Sequence, residues 1–354
     1  MIPLSKPFLG KEEYRAALDA LKSGWLIHGP KNDEFETRFA KYVGVKHAVS
    51  LNSCASALQL AVEANRIEGE VIVPSFTHMA SANAILRAGA HPVFADIEQK
   101  TCMFDPQSVE AAINKKTEAI MVVHFGGATA NVDVLLKICK KHKLLLIEDS
   151  AENAGGSWKK KKAGSFGTGC FSFFPTKNMT TAEGGMLTTN DSDVARRARI
   201  IAGHGVASSF LSREKQKKFW IREAILPGLN FRMSNVQAAI GVEQLKKLDL
   251  MNRMRRQRAS LLTKLLQPLS GVFLPHHDPR AHHVYQMYTV QVPEKIRDEI
   301  VFALRKRGIG ASVHFDPPVH LQPQYRSKKF RRVPLPVTES VSKSIITLPM
   351  YPGM

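Results

Sequence analysis

FSFFPTKNMTTAEGGM, residues 171–186, is the stretch whose reading decides the fold. Ser172, Phe173 and Phe174 read as the end of a buried strand, with Phe171 just before them. Pro175 then ends ladder pairing and stiffens the turn. Lys177 follows on that turn, and Gly184 and Gly185 break the backbone before a second short strand at 186–189. A single lysine on a turn is ordinarily a solvated charge. An amine held between an apolar strand and a Gly-Gly turn differs, because its pKa can fall and a neutral amine can form a Schiff base.

Outward from this stretch the chain alternates. Short apolar runs at 48–51, 71–73, 93–95, 119–123, 144–147 and 169–174 are mostly separated by helical stretches at 56–65, 80–88, 106–114 and 132–142. Asp105 is the N-cap and Pro106 the first residue of the third of these helices. Such alternation predicts an α/β fold with a mainly parallel sheet covered on both faces. Earlier, Tyr14, Ala17, Leu18 and Leu21 share one face of a helix stopped by Gly24, and Phe35, Phe39 and Val43 mark a second ended by Gly44. Residues 203–230 read as a basic surface loop or lid. Ser234 and Gln237 form a capping-box pair that opens a long helix through Leu250 and beyond. After Pro268 a strand at 284–292, a helix at 294–307 and a strand at 309–314 predict a smaller α+β unit. The predicted division is a large domain, 1–250, and a small one, 251–354.

Hydrophobic content of 44% and charged content of 23% are those of a soluble globular chain. The opening MIPLSKPFLG has no apolar signal core, and no later run is long enough to span a membrane. Cys54, Cys102, Cys139 and Cys170 are widely spaced without a CxxC pair, which argues against a metal site and for reduced thiols in the cytoplasm. The net charge of +19 comes largely from clusters at 159–162, 213–222, 253–258 and 326–332. They match no zinc-finger, RRM or basic-zipper pattern, so solvated loops and helix faces are preferred over nucleic-acid binding. Attraction of a nucleotide diphosphate is a third reading.

SFFPTKNMTTAEGG resembles the lysine segment of the nucleotide-sugar aminotransferases, the DegT–StrS group of fold-type I pyridoxal phosphate (PLP) enzymes. Further motifs support that resemblance in order from about Pro3 to Pro352. It implies a mainly parallel sheet between helices with a smaller C-terminal α+β domain, and PLP bound on Lys177. In SLNSCASALQLAVEA the strand-turn-helix alone reads as a capped helix; by resemblance its turn holds the PLP phosphate at Ala55 and Ser56. His78 in PSFTHMASANAI stands where the family stacks an aromatic ring on the pyridine, although a lone His also suits a helix start. Asp149 in HKLLLIEDSAENAGG ends a buried strand, and the resemblance makes it the carboxylate that keeps the pyridine nitrogen protonated. Glu152 replaces the Gln or His that the family sets near the ring hydroxyl, a placement that is unfavourable unless one partner is protonated.

Ser172, five residues before Lys177, is at the family spacing for a further phosphate contact. Asn230 in GLNFRMSNVQAAIG resembles the residue that reaches the phosphate of the neighbouring subunit, with Arg232 beside it. Tyr285, His314 and His320 match blocks that contact substrate. The implied activity is a transaminase that moves an amino group from an amino acid, glutamate in most relatives, to a nucleotide-linked keto-sugar. TTAEGG resembles relatives that aminate C4. The partners expected are the nucleotide-sugar, the amino acid and a second copy of the chain in a homodimer with shared sites. Neither metal, nucleic acid nor membrane is expected. A PLP-dependent sugar dehydratase would replace the lysine or add cluster cysteines, and a non-catalytic basic binding protein would need no Lys177 site.

Overall fold

A computed structural model describes residues 1–207, 220–327, 329–331 and 333–354. Part of the expected 203–230 lid, residues 208–219, therefore lies outside the described residues. The central sheet contains β1 (His47–Leu51), β2 (Glu70–Pro74), β3 (His91–Ala95), β4 (Thr117–Val123), β5 (Leu145–Asp149), β8 (Thr168–Ser172) and β9 (Gly185–Thr189). Its order is β1-β9-β8-β5-β4-β2-β3. The pairs from β8 through β5, β4 and β2 to β3 are parallel, and β9 runs antiparallel to both β8 and β1. The mainly parallel α/β sheet read from the alternating runs is thus present.

α1 (Lys11–Lys22) packs away from the sheet, and the helices that cover it are α2 (Pro30–Val43), α3 (Cys54–Ala64), α4 (Met79–Arg87), α5 (Pro106–Ala112), α6 (Val132–His142) and α7 (Ser192–Ala202). Asp105 caps α5 as expected, accepting from the amides of Gln107 and Ser108. α8 (Asn235–Leu266) begins at the expected capping box: Ser234 N donates to Gln237 Oε1 at 3.0 Å and Gln237 N to Ser234 Oγ at 3.2 Å. It continues unbroken past residue 250. Beyond it, β11 (Tyr288–Gln291) and β12 (Ile345–Leu348) pair antiparallel, with α9 (Glu294–Lys306) and α10 (Pro336–Ser344) beside them. Ala259 of α8 joins Tyr288, Val290, Ala311 and Ile346 in one core there.

Three local expectations change. The strand expected to reach Phe174 ends at Ser172: Phe173 N turns to Gly184 O (3.0 Å) and Phe174 faces solvent. The strand expected at 284–292 starts only at Tyr288, because Val284 N and Met287 N bond to Gly127 O and Gly126 O. Residues 309–314 make isolated bridges, Ile309 to Ile2 and Ser312 to Thr347, rather than a strand.

The apolar face of α1 is also turned outward. Tyr14, Leu18 and Leu21 are 63%, 49% and 53% exposed. The buried side instead carries Glu13, whose carboxylate accepts from Gln244 and Lys247 of α8 at 2.9 and 2.6 Å. Leu26 and Ile27 extend the exposed strip.

Candidate active site

The lysine turn rests on an aromatic block. Phe35 and Phe39 of α2 meet Phe171 and Phe173 with ring centroids 5.0–5.8 Å apart. All four are buried, and each contributes about 2–3 kcal/mol by burial. Lys177 N donates to Phe174 O at 2.9 Å, which closes the turn. Thr180 Oγ1 donates to Phe173 O at 2.8 Å.

The lysine amine does not lie against purely apolar surroundings. Its Nζ is 3.4 Å from Glu152 Oε1, and Glu152 Oε2 accepts from Gly126 N at 2.9 Å. Gly126 and Gly127 have φ of +64° and +97°. A Cβ on Gly127 would fall 2.7 Å from Gln286 N and 2.8 Å from Tyr285 N. The glycine pair therefore lets the 283–287 segment close on the site. That segment is tied to the lysine turn by Gln286 Nε2 to Thr176 O (3.1 Å) and Asn178 Nδ2 to Val284 O (3.0 Å).

Asp149 ends β5 and is buried. Its Oδ2 accepts from Ser81 Oγ at 2.7 Å and its Oδ1 from Ala151 N at 3.1 Å. Burial raises its pKa and the nearby Glu152 adds to the rise; the Ser81 and Ala151 bonds and Lys177 oppose it. Each oxygen keeps acceptor capacity for one more donor.

The third part is the start of α3. Ser53 caps it, accepting from Ser56 N at 3.1 Å, and this leaves the Ala55 amide without an acceptor among the described residues. Ala55 is exposed, whereas the Ser56 hydroxyl donates back to Asn52 Oδ1 at 2.7 Å. A Cβ on Gly185 would lie 2.3 Å from Ser53 O and 2.6 Å from Cys54 N, so β9 runs directly against the helix start. Ser172 pairs with Gly185 in register. The strand pairing thus sets Ser172, whose hydroxyl accepts from Phe174 N at 3.4 Å, next to the strand residue that abuts the helix N-terminus, where dipole and free amide favour an anion.

The other expected residues divide. His314 lies within the electrostatic reach of Glu152 and Lys177: burial lowers its pKa, Glu152 opposes that, and Lys177 and His78 reinforce it; its Nδ1 is 2.7 Å from Thr347 Oγ1. His78 is exposed and caps α4, accepting from Ala80 N at 3.2 Å, so the helix-start role is present. Tyr285 lies flat on His283, with centroids 3.8 Å apart, in the segment that closes on Gly127. His320 is held between Ser75 Oγ (2.6 Å) and Glu339 Oε1 (3.3 Å). Asn230 is exposed, and its carbonyl is 3.5 Å from Asn52 Nδ2 of the same chain. The side chain of Arg232 is 3.4 Å from His204 Nε2.

Sequence reasoning missed Ser81 and Gly126. Ser81 lies in the quoted PSFTHMASANAI segment, but no local spacing links it to a carboxylate 68 positions away. The Gly126-Gly127 pair was the available signal for a close backbone approach.

The residues fit a PLP phosphate, ring and aldehyde. A free helix amide with the Ser172 hydroxyl, a buried carboxylate with spare capacity and a reachable lysine form the required donor set. Among the described residues no helix is long and apolar enough to cross a membrane.

The chain is 39% identical over 362 residues to the spore coat polysaccharide biosynthesis protein SpsC of Bacillus subtilis (strain 168), covering 100% of this chain and 93% of that protein. The structure of Helicobacter pylori PseC, an aminotransferase of pseudoaminic acid biosynthesis, superposes with a TM-score of 0.91 at 31% identity, covering 99% of this chain and 94% of the other. DesI, solved in the presence of its TDP-sugar product, gives 0.88 at 31% identity, covering 100% and 88%. The model of the DegT/DnrJ/EryC1/StrS aminotransferase family matches residues 7–354. The chain belongs to that family of PLP-dependent sugar transaminases, with the α/β fold of type I.

Proposed function

We infer that this enzyme transfers the amino group of an amino acid, L-glutamate by expectation, to the keto carbon of a nucleotide-linked 4-keto-6-deoxy sugar. The observation that carries the reading is the half-buried Lys177, on the turn after β8, beside the buried Glu152 and Asp149 at the end of β5. When bound, PLP supplies an electron sink that acidifies the α-proton of an amino acid.

In this reading the Ala55 amide and Ser172 hydroxyl bind the phosphate, and Ser56 joins them by rotating away from Asn52. Asp149 keeps a proton on the pyridine nitrogen, and Ser81 and Ala151 hold that carboxylate in orientation. Lys177 Nζ removes the α-proton of the donor and returns it, as base and then acid. Its 3.4 Å contact with Glu152 is long for a charge-assisted bond, so the amine leaves it at small cost. Glu152, fixed by Gly126 N, sets where the ammonium rests. His314 and Tyr285 flank the substrate side, and His320 supports the wall between β2 and α10. The two half-reactions share one site, which implies ping-pong kinetics.

The active unit in this reading is a cytoplasmic homodimer in which Asn230 serves the neighbouring site. The exposed strip of Tyr14, Leu18, Leu21, Leu26 and Ile27 supports an interface between copies. Residues 1–250 hold the cofactor and 251–354 close over the sugar, with α8 as the shared spine. The test is a panel of UDP-, dTDP- and GDP-linked keto-sugars incubated with glutamate and read by mass spectrometry. An amine product from at least one 4-keto sugar is expected. No aminated product from any of them, with PLP bound, removes the reading.

A further inference from the structure

A second, smaller sheet carries a feature that the transaminase site does not use. β6 (Ser157–Trp158) pairs on one side with β7 (Lys161–Lys162) and on the other with β10 (Ala281–His282). The register sets Trp158 between Lys161 and Ala281, and Ser157 between Lys162 and His282. Directly opposed residues project to the same face. Trp158 and Ala281 face inward, packed with Val132. The outer face therefore presents His282, Ser157 and Lys162 as one row, with neighbouring Cβ atoms about 4.5–5.5 Å apart.

Every side chain in that row can donate a hydrogen bond. Arg256 of α8 donates from Nη1 to His282 Nδ1 at 3.3 Å, so the neutral ring carries its hydrogen on Nε2. Lys162 Nζ lies 4.2 Å above the Tyr42 ring, which restrains its stem. Among the described residues Lys162 makes no ion pair and the Ser157 hydroxyl no hydrogen bond. The acid facing this group is Asp249, whose Oδ1 already accepts from the Tyr42 hydroxyl at 2.6 Å. Burial first, then Arg256 and Lys162, lower the His282 pKa with Asp249 opposing, and burial lowers that of Lys162, again against Asp249. The hairpin tip between β6 and β7 is Lys159-Lys160 with φ of +47° and +70°, where Asn-Gly is the easier choice.

The geometry points to a phosphoryl-group binding site formed by Ser157, Lys162, Arg256 and His282, separate from the Lys177 centre. A hydroxyl, an ammonium, a guanidinium and an imidazole N–H are gathered in this row, and each can donate to a phosphoryl oxygen. The group is carried by a phosphorylated metabolite or by a phospholipid headgroup. The site is built on the elements that position the reaction centre. Ser157 follows the loop that begins at Asp149 and Glu152. Asn252, one turn before Arg256, donates to Ala154 O at 3.0 Å and accepts from Asn178 at 2.6 Å.

The test uses PLP-loaded protein, so that the cofactor's own phosphate cup is filled. Inorganic phosphate is titrated calorimetrically at constant ionic strength, and phosphatidic acid vesicles are compared with phosphatidylcholine vesicles by sedimentation. Saturable phosphate binding assigns a soluble ligand, and selective sedimentation with phosphatidic acid assigns the headgroup. In either case Lys162→Met and the minimal Ser157→Ala should each weaken binding about tenfold. Lys160→Met removes the same charge from the hairpin tip and should leave it unchanged. Absence of both binding modes overturns the site. So does equal weakening by Lys160→Met, or no weakening by Lys162→Met and Ser157→Ala.

Discussion

Replacing Ser81 by alanine is expected to impair catalysis without touching any group that reacts. Ser81 is fully buried, and its hydroxyl donates to Asp149 Oδ2 at 2.7 Å, a charge-assisted bond. Thr77 Oγ1, 2.9 Å away, loses its partner in the same change. A hydrogen bond to a buried charge is worth about 1.5–3 kcal/mol. If that stabilisation acts on the ionised Asp149 required for turnover, kcat should fall by roughly 10- to 150-fold. The sign for pH follows from the direction of the shift. Burial already raises the Asp149 pKa and the Ser81 bond opposes this, so Ser81→Ala raises it further. The acid limb of the kcat profile should move to higher pH, and Ser81→Thr, which keeps a hydroxyl, should restore it. Steady-state kinetics across pH, with circular dichroism as a control for folding, makes the measurement. A Ser81→Ala enzyme with unchanged kcat and an unmoved acid limb would refute the reasoning.

Asp149→Asn should cut turnover by orders of magnitude yet stabilise the ligand-free protein at neutral pH. The folded carboxyl has a raised pKa, so its ionisation costs stability as pH rises above the unfolded value; thermal unfolding should show the gain at pH 7 and lose it below about pH 3. Gly127→Ala should lower stability by about 1–3 kcal/mol from its φ of +97°, more if the 285–286 backbone cannot shift, as read from denaturant midpoints. Mixing a Lys177→Ala enzyme with an Asn230→Ala enzyme should return activity if sites are shared, because one site of a mixed dimer then carries neither defect. Demonstrated subunit exchange without recovered activity would assign Asn230 to its own chain or to no site.

The parts legible in the sequence were those written in local spacing. Lys177 follows Pro175 by two positions, Asp149 closes an apolar run, and Ser234 with Gln237 announces α8. Burial periodicity alone does not name the partner of an apolar face. Tyr14, Leu18 and Leu21, grouped with Ala17 on one helix face by their spacing, stay largely exposed among the described residues, and α1 docks through Glu13 instead. The strand expected at 284–292 was shortened by bonds to Gly126 and Gly127, which are more than 150 positions away in sequence. His320 lies in a block resembling substrate-contact sequence, yet its ring is committed to Ser75 and Glu339 by long-range folding. Residue type gave the chemistry, whereas tertiary contacts decided that His320 is taken up by Ser75 and Glu339 and His314 by Thr347.

The central claim is that the chemistry of this enzyme is centred on Lys177. Borohydride reduction of the PLP-loaded protein, followed by peptide mapping, tests it most directly. A visible absorbance band that reduction abolishes is expected, with the reduced cofactor on Lys177 alone. A label on a different lysine, or none on a protein that retains transaminase activity, would contradict it.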